Sequence, residues 1–134
     1  MLVHTLFLLL KNLEYNYMDF MKCEWEGSKA NVTLSVKDYP TGGVELEVLK
    51  PMIHEIRENA TDMIIKADLS GAGIVRIERF KMIVKIVGEV VEYTRDDNLL
   101  RRIEFVGTGF VFRMFDHPIS LAIPKYFRDM VVFL

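Results

Sequence analysis

Alternating hydrophobic and polar residues early in the chain predict two antiparallel strands. Between Phe20 and Trp25, apolar residues are interspersed with lysine and glutamate. Turn-forming residues follow at 26–29, and within 31–36 three apolar residues alternate with Thr and Ser. A period of two is typical of a strand with one buried face, and a short turn between two such runs indicates a hairpin.

The segment 44–60 carries two patterns at once. Val44, Leu46 and Val48 alternate as in a strand, whereas apolar residues from Leu49 to Ile56 recur at the three- and four-residue spacing of a helix. Pro51 is tolerated in a first helical turn but is costly deeper inside a helix. We predict a helix over 50–59. An earlier start with a kink, and a strand at 44–50, remain open alternatives.

The second half of the chain continues the strand–helix alternation. An apolar run at 63–67 predicts a central strand, followed by a loop at 68–73. The widest apolar stripe predicts a helix over 75–94, with an opposite-charge pair at Lys85 and Glu89 on its polar face. Further strands are predicted at 101–106 and 131–134, with short helices or turns at 110–115 and 118–123.

These elements predict an α/β fold with a single domain over 19–134. Strands separated by crossovers of ten to twenty residues pair in parallel with right-handed connections. We therefore expect a four- to five-stranded mixed β-sheet with helices mainly on one face. Residues 1–18 form an apolar extension, whose hydrophobic run is shorter than the ~20 residues that span a bilayer. It also lacks the basic start of a signal peptide, so membrane insertion is not expected.

Composition narrows the class of protein. The chain has 134 residues, of which 51% are hydrophobic and 27% charged, and it carries a net charge of −2. This content excludes intrinsic disorder, and the absence of a basic excess argues against a nucleic-acid partner. The single Cys23 allows no internal disulfide, so we expect a reduced, cytoplasmic setting.

Two related families resemble different parts of the chain. The strand at 31–36, the helix ending at 54–60 and the strand–loop DMIIKADLSG at 62–71 resemble the STAS (anti-sigma-factor-antagonist-like) family. The second half resembles the CRAL-TRIO lipid-binding lobe, with Asp68 and Gly71 after a strand and Tyr93 near a helix end. The segments 101–112 and 124–134 complete that second likeness. Both resemblances imply a shared βαβ fold, which we describe as STAS-like.

The loop after the central strand is the first candidate functional site. Asp68, Ser70 and Gly71 are its candidate residues for a partner or regulatory contact, because phosphorylation of Ser70 would add negative charge beside Asp68. The alternative interpretation is a serine that closes a turn. No phosphate-binding glycine motif, metal-ligand spacing or nucleophile motif occurs. We therefore expect no cofactor, no metal and no catalytic activity.

Aromatic residues concentrate in the last quarter of the chain and form the second candidate site. With Arg and Lys between them, they are expected either to contact an apolar ligand or to fill the core while the cations extend outward. The resemblances and the absence of catalytic motifs favour a non-enzymatic STAS-like protein-interaction domain, self-associating or part of a larger assembly. The alternative is a small apolar-ligand or lipid-binding module of CRAL-TRIO type. Its candidate residues are Phe110, Phe112, Phe115, Tyr126 and Phe127.

Overall fold

One mixed sheet forms the centre of the protein. The computed structural model describes residues 20–70, 77–107 and 123–134. Within them, the first two strands pair antiparallel and all later neighbours pair in parallel. The predicted α/β fold with a mixed sheet is confirmed. The five strands lie in the order of the chain: β1 (Met21–Glu26), β2 (Lys29–Ser35), β3 (Asp62–Asp68), β4 (Leu100–Val106) and β5 (Val131–Phe133).

A two-residue turn closes the β1–β2 hairpin. Glu26 pairs with Lys29 across it, and Gly27 takes a φ of 60°. The first central position of a type II′ turn needs a positive φ, which glycine adopts without a steric penalty. The turn signal at 26–29 therefore sets the register of the hairpin.

Helices connect the parallel strands. α1 (Leu46–Asn59) joins β2 to β3, and α2 (Ile77–Tyr93) lies between β3 and β4. A 3-10 turn at Arg95–Asp97 follows α2, and a single-turn helix, α3 (Lys125–Arg128), precedes β5. Since successive strands always step in the same direction across the sheet, right-handed crossovers place α1 and α2 on one face.

The register aligns the buried side chains of the sheet beneath those helices. Val32, Ile65 and Ile103 form one row across the parallel strands, and Leu34, Ala67 and Phe105 form the next. All six are at most 2% exposed. They belong to the same core as the apolar faces of α1 and α2, so hydrophobic burial holds the two layers together.

The opposite face of the sheet is polar. Its central row runs through Thr33, Lys66 and Glu104. Glu104 is only 9% exposed, and one of its carboxylate oxygens lies 3.2 Å from Nε of Arg102 two residues earlier. The alternation of β2 and β3 thus separates an apolar face under the helices from a charged face.

The start of α1 differs from the main prediction. The helix begins at Leu46, so the alternative of an earlier start is confirmed and the strand alternative for 44–50 is wrong. Pro51 lies in the second turn, where it cannot donate a hydrogen bond to the carbonyl of Glu47. Packing compensates for this loss, because Leu49 is fully buried one turn into the helix.

Several predicted segments lie outside the described residues. These are the N-terminal extension 1–18, the end of the loop at 71–73 and the short elements at 110–115 and 118–122. Among the described residues, no helix combines the length and the apolar character needed to cross a bilayer.

Candidate functional site

A cleft opens between one edge of α2 and the 39–46 loop, whose last residue, Leu46, also begins α1. Its volume is about 430 Å³. The helix contributes Met82, Lys85, Ile86 and Glu89. These positions recur at three- and four-residue spacings, which place them on one side of the helix. The cleft therefore has one wall of regular helix and one wall of loop.

Tyr39 anchors the loop wall from within. Its side chain is 3% exposed, and its ring meets that of Phe20 edge to face with centroids 5.2 Å apart. The backbone N–H of Val44 donates to the Tyr39 hydroxyl over 3.1 Å, and Gly43 N–H donates to the carbonyl of Pro40 over 3.0 Å. These bonds fold the loop back over the tyrosine ring.

Arg79 anchors the same loop from α2. Its guanidinium donates to the carbonyl of Val36 over 3.0 and 3.3 Å and also to the carbonyl of Tyr39. Hydrogen bonds from a charged donor are stronger than neutral ones. The first turn of α2 thus holds the end of β2 and the start of the loop in place.

Gly43 on the loop wall lies against Met82 on the helical wall. Its φ is +81°, and a Cβ at this position would lie 3.0 Å from Cε of Met82. A side chain here would both strain the backbone and displace the methionine. The width of the cleft therefore depends on the glycine.

The lining combines apolar walls with a charged rim. Val44, Leu46, Met82 and Ile86 supply the apolar surface, whereas Lys85, Glu89 and Glu45 supply the charges. The sequence predicted an ion pair between Lys85 and Glu89. In the described part of the chain neither forms one with the other or with another residue.

Tyr39→Phe is expected to remove part of the stability loss that the protein shows in alkaline solution. Burial raises the pKa of Tyr39; Glu89 acts in the same direction, and the Val44 bond and Arg79 oppose it. In the unfolded chain the phenol ionises near pH 10, about its ordinary value. Above that pH the unfolded state binds fewer protons than the folded state. The free energy of unfolding therefore falls as the pH rises from about 10 to the raised pKa of Tyr39, and this group has no effect on it below about pH 10.

The measurement is the free energy of urea unfolding between about pH 8 and about pH 11, below and above the ordinary phenol pKa. Tyr126→Phe is the matched control because that side chain is 67% exposed. If both variants keep the full alkaline slope of the parent, the assignment to Tyr39 is wrong.

The predicted loop after β3 lies at the carboxyl ends of the parallel strands, apart from the cleft lining. The Ser70 N–H donates to a carboxylate oxygen of Asp68 over 2.9 Å, which is the geometry of a closed turn. The Ser70 hydroxyl lies 3.1 Å from where a Cβ on Gly107 would be. Ser70 is exposed, and Gly71 lies outside the described residues.

The two aromatic candidates that the structure describes have different environments. Tyr126 is 67% exposed, whereas Phe127 is 4% exposed and belongs to the core. They border a smaller cleft of about 150 Å³ beside Leu99 and Met130. Phe110, Phe112 and Phe115 lie outside the described residues.

A second polar cluster joins α1 to α2 around Tyr93. His54 Nε2 and the Tyr93 hydroxyl lie 2.7 Å apart and share a hydrogen bond, and their rings stack with centroids 6.0 Å apart. The cationic groups of Lys50 and Arg57 lie 5.2 and 5.3 Å from the centre of the Tyr93 ring. Lys50 also pairs with Glu47. These contacts link the two helices, since each cation is attracted to the electron-rich face of the Tyr93 ring.

Sequence reasoning missed the cleft, although weak signals for it were present. The Gly42–Gly43 pair marks a turn, and Lys85 and Glu89 border the apolar stripe of α2. Nothing local shows that this turn meets a helix about forty residues later. In the described ranges, no group of three or more His, Cys, Asp and Glu side chains is arranged to hold a metal ion.

Comparison with known proteins supports the fold. No family model matches the chain, and no curated protein matches its sequence. Among solved structures, the crystal structure of Sfh5, a Sec14-like protein of the CRAL-TRIO family, is similar with a TM-score of 0.59 and 13% identity. The match covers 89% of this chain and 49% of Sfh5, so the chain spans about half of that protein. The chain therefore shares the fold of the matched half of Sfh5, in agreement with the CRAL-TRIO resemblance of its second half.

Proposed function

We propose that this chain is a non-enzymatic binding module that holds a small amphipathic ligand in the cleft between the 39–46 loop and α2. The observation that carries the proposal is the cleft itself. Its volume of about 430 Å³ lies within the range of ~300–1,000 Å³ typical of small-molecule sites, which combine apolar walls with a few polar groups. The CRAL-TRIO-like fold gives independent support to the ligand-binding alternative.

The site differs from the one predicted for that alternative. The apolar ligand was expected at the aromatic residues near the carboxyl end, whereas the proposed cleft is lined by the 39–46 loop and α2. The STAS-like protein-interaction role stays a prediction. Across the described surface, the large hydrophobic side chains that are strongly exposed are Val48, Tyr126 and Leu134, which lie on separate elements and identify no single docking face.

Gly43→Ala is expected to weaken binding of an apolar ligand about tenfold, the equivalent of about 1.4 kcal/mol. The added methyl group displaces Met82 and narrows the cleft. The test uses 1-decanol below its solubility limit, whose uncharged head isolates the contribution of the apolar tail. Binding is measured by NMR from the amide shifts of the 42–46 segment during titration.

Gly27→Ala is the matched control, because Gly27 also has a positive φ but nothing within 4 Å of an added Cβ. Both variants are expected to lose about 1–2 kcal/mol of stability from backbone strain. Only Gly43→Ala is expected to lose affinity. Absence of saturable decanol binding by the unmodified protein would refute the proposed function, as would equal weakening by the two variants.

A further inference from the structure

From the charges on the helical wall, we infer that the ligand of the cleft has a zwitterionic head, with a cation beside Glu89, a carboxylate beside Lys85 and a single apolar tail. This inference rests on the proposed function and adds the chemistry of the head group. It starts from Lys85 and Glu89, which line the cleft from α2. They are four residues apart, about 6 Å along the helix axis.

The two charges are available to a ligand. Neither forms an ion pair with a described residue. The order of the two residues along α2 explains why they do not pair. A lysine placed four residues before a glutamate forms a less favourable pair than a glutamate placed four residues before a lysine, in keeping with the direction of the helix dipole. Even when formed, an exposed pair of this kind contributes little free energy, so it competes only weakly with a ligand for the two charges.

A ligand with one charge meets repulsion at this rim. A carboxylate attracted to Lys85 lies close to Glu89, and Glu45 on the loop wall adds a second negative charge. A cation is attracted to both glutamates and repelled by Lys85. A zwitterion matches both signs at once, and such complementarity discriminates between ligands more than it adds raw affinity.

Tyr39 adds a directional contact for the anionic end. Its hydroxyl oxygen accepts the Val44 N–H, which leaves the O–H to donate, and the residue lines the same cleft. A carboxylate held between the Lys85 ammonium and this O–H receives two donors. The apolar tail then lies along Val44, Leu46, Met82 and Ile86.

The experiment compares four ligands that share a decyl tail: 1-decanol (neutral), decanoate, decylamine and N-decyl-N,N-dimethylglycine (zwitterionic). Calorimetric titrations are made at neutral pH and low salt, with every ligand below its micellar concentration. We expect the zwitterion to bind about tenfold more tightly than decanol, a difference that one well-placed charge contact supplies. Decylamine is expected to be intermediate, and decanoate weakest.

Two variants test the assigned charges. Glu89→Gln is expected to remove the preference for decylamine over decanoate, and Lys85→Gln to reduce zwitterion affinity to that of decylamine. Lys81→Gln and Glu92→Gln are the matched controls, because both residues are exposed on α2 and lie outside the cleft lining. We expect neither control to change the order of the four ligands.

The outcomes separate this inference from the function on which it rests. Equal affinities for all four ligands, weakened together by Gly43→Ala, would overturn the zwitterionic head and leave the binding function standing. Tightest binding of decylamine or decanoate would also overturn it. If none of the four ligands binds, the proposed function itself fails.

Discussion

Val84→Asp is expected to remove most of the stability of the protein at neutral pH. Val84 is fully buried on the face of α2 that meets the sheet, so the new carboxyl group has no access to water. Burying an unpaired charge, or holding the group neutral against its ordinary pKa, is expected to cost more than about 4–5 kcal/mol. A domain of this size is stable by only about 5–15 kcal/mol, so the substitution removes most of that margin.

Circular dichroism and urea unfolding at several pH values measure this effect. Burial raises the folded-state pKa of the new aspartate, so the unfolded state binds fewer protons at neutral pH and the penalty grows with pH. Lowering the pH by two units, while staying above the ordinary pKa of aspartate, is expected to restore about 2.7 kcal/mol relative to the parent at the same pH.

Val84→Thr is the control for shape. It keeps the branched side chain and adds a hydroxyl that can bond to the helix carbonyl one turn earlier, so a loss of about 1–2 kcal/mol is expected. A Val84→Asp protein that stays folded at neutral pH with a loss below about 2 kcal/mol would show that α2 does not pack on the sheet as described.

Phe105→Ala is expected to destabilise the protein by about 3–5 kcal/mol. Phe105 is fully buried in β4, and its ring centroid lies 5.5 Å from that of Phe80 on α2 and 5.7 Å from that of Phe133 on β5. Truncation removes the apolar area, both aromatic contacts and the packing that joins three elements. The melting temperature is expected to fall by about 10–20 °C.

Phe105→Leu isolates the contribution of the aromatic ring. It refills most of the volume, so we expect a loss of at most about 2 kcal/mol. A double-mutant cycle with Phe80→Leu then measures the coupling between the two rings, expected at about 0.5–1.5 kcal/mol. A loss below 2 kcal/mol for Phe105→Ala would contradict a close-packed contact between α2 and β4.

The hydrophobic pattern predicted the helices and strands because each buries one face, so that apolar residues recur along the sequence at the period of that element. The stripe that predicts a helix over 75–94 corresponds to α2, and the alternation within 31–36 corresponds to the buried face of β2. The run at 63–67 predicts the strand β3 but not which of its faces is buried, because Ile64 is apolar although it belongs to the less buried face. Only the register with β2 and β4 determines which side chains face the helices.

The candidate site depends on contacts that no local pattern records. The loop wall of the cleft is held by Arg79, which bonds to backbone carbonyls 43 and 40 residues earlier, at Val36 and Tyr39. The position of Arg79 near the start of a helix does not predict this contact. Its acceptors are backbone carbonyls, which every residue has, so the sequence of Val36 and Tyr39 gives no signal for it either. The same holds for Tyr93, whose contacts with α1 follow from the angle at which the helices cross.

The sequential order of the strands has a consequence for how the chain folds. From β2 onward, each described strand pairs with the strand immediately before it in the chain, so no pairing among these five strands closes a loop longer than one crossover. The entropy of loop closure rises with loop length, and folding slows as contacts become more distant in sequence. The hairpin, α1 and β3 can therefore associate first, and each later strand then adds to an edge that already exists.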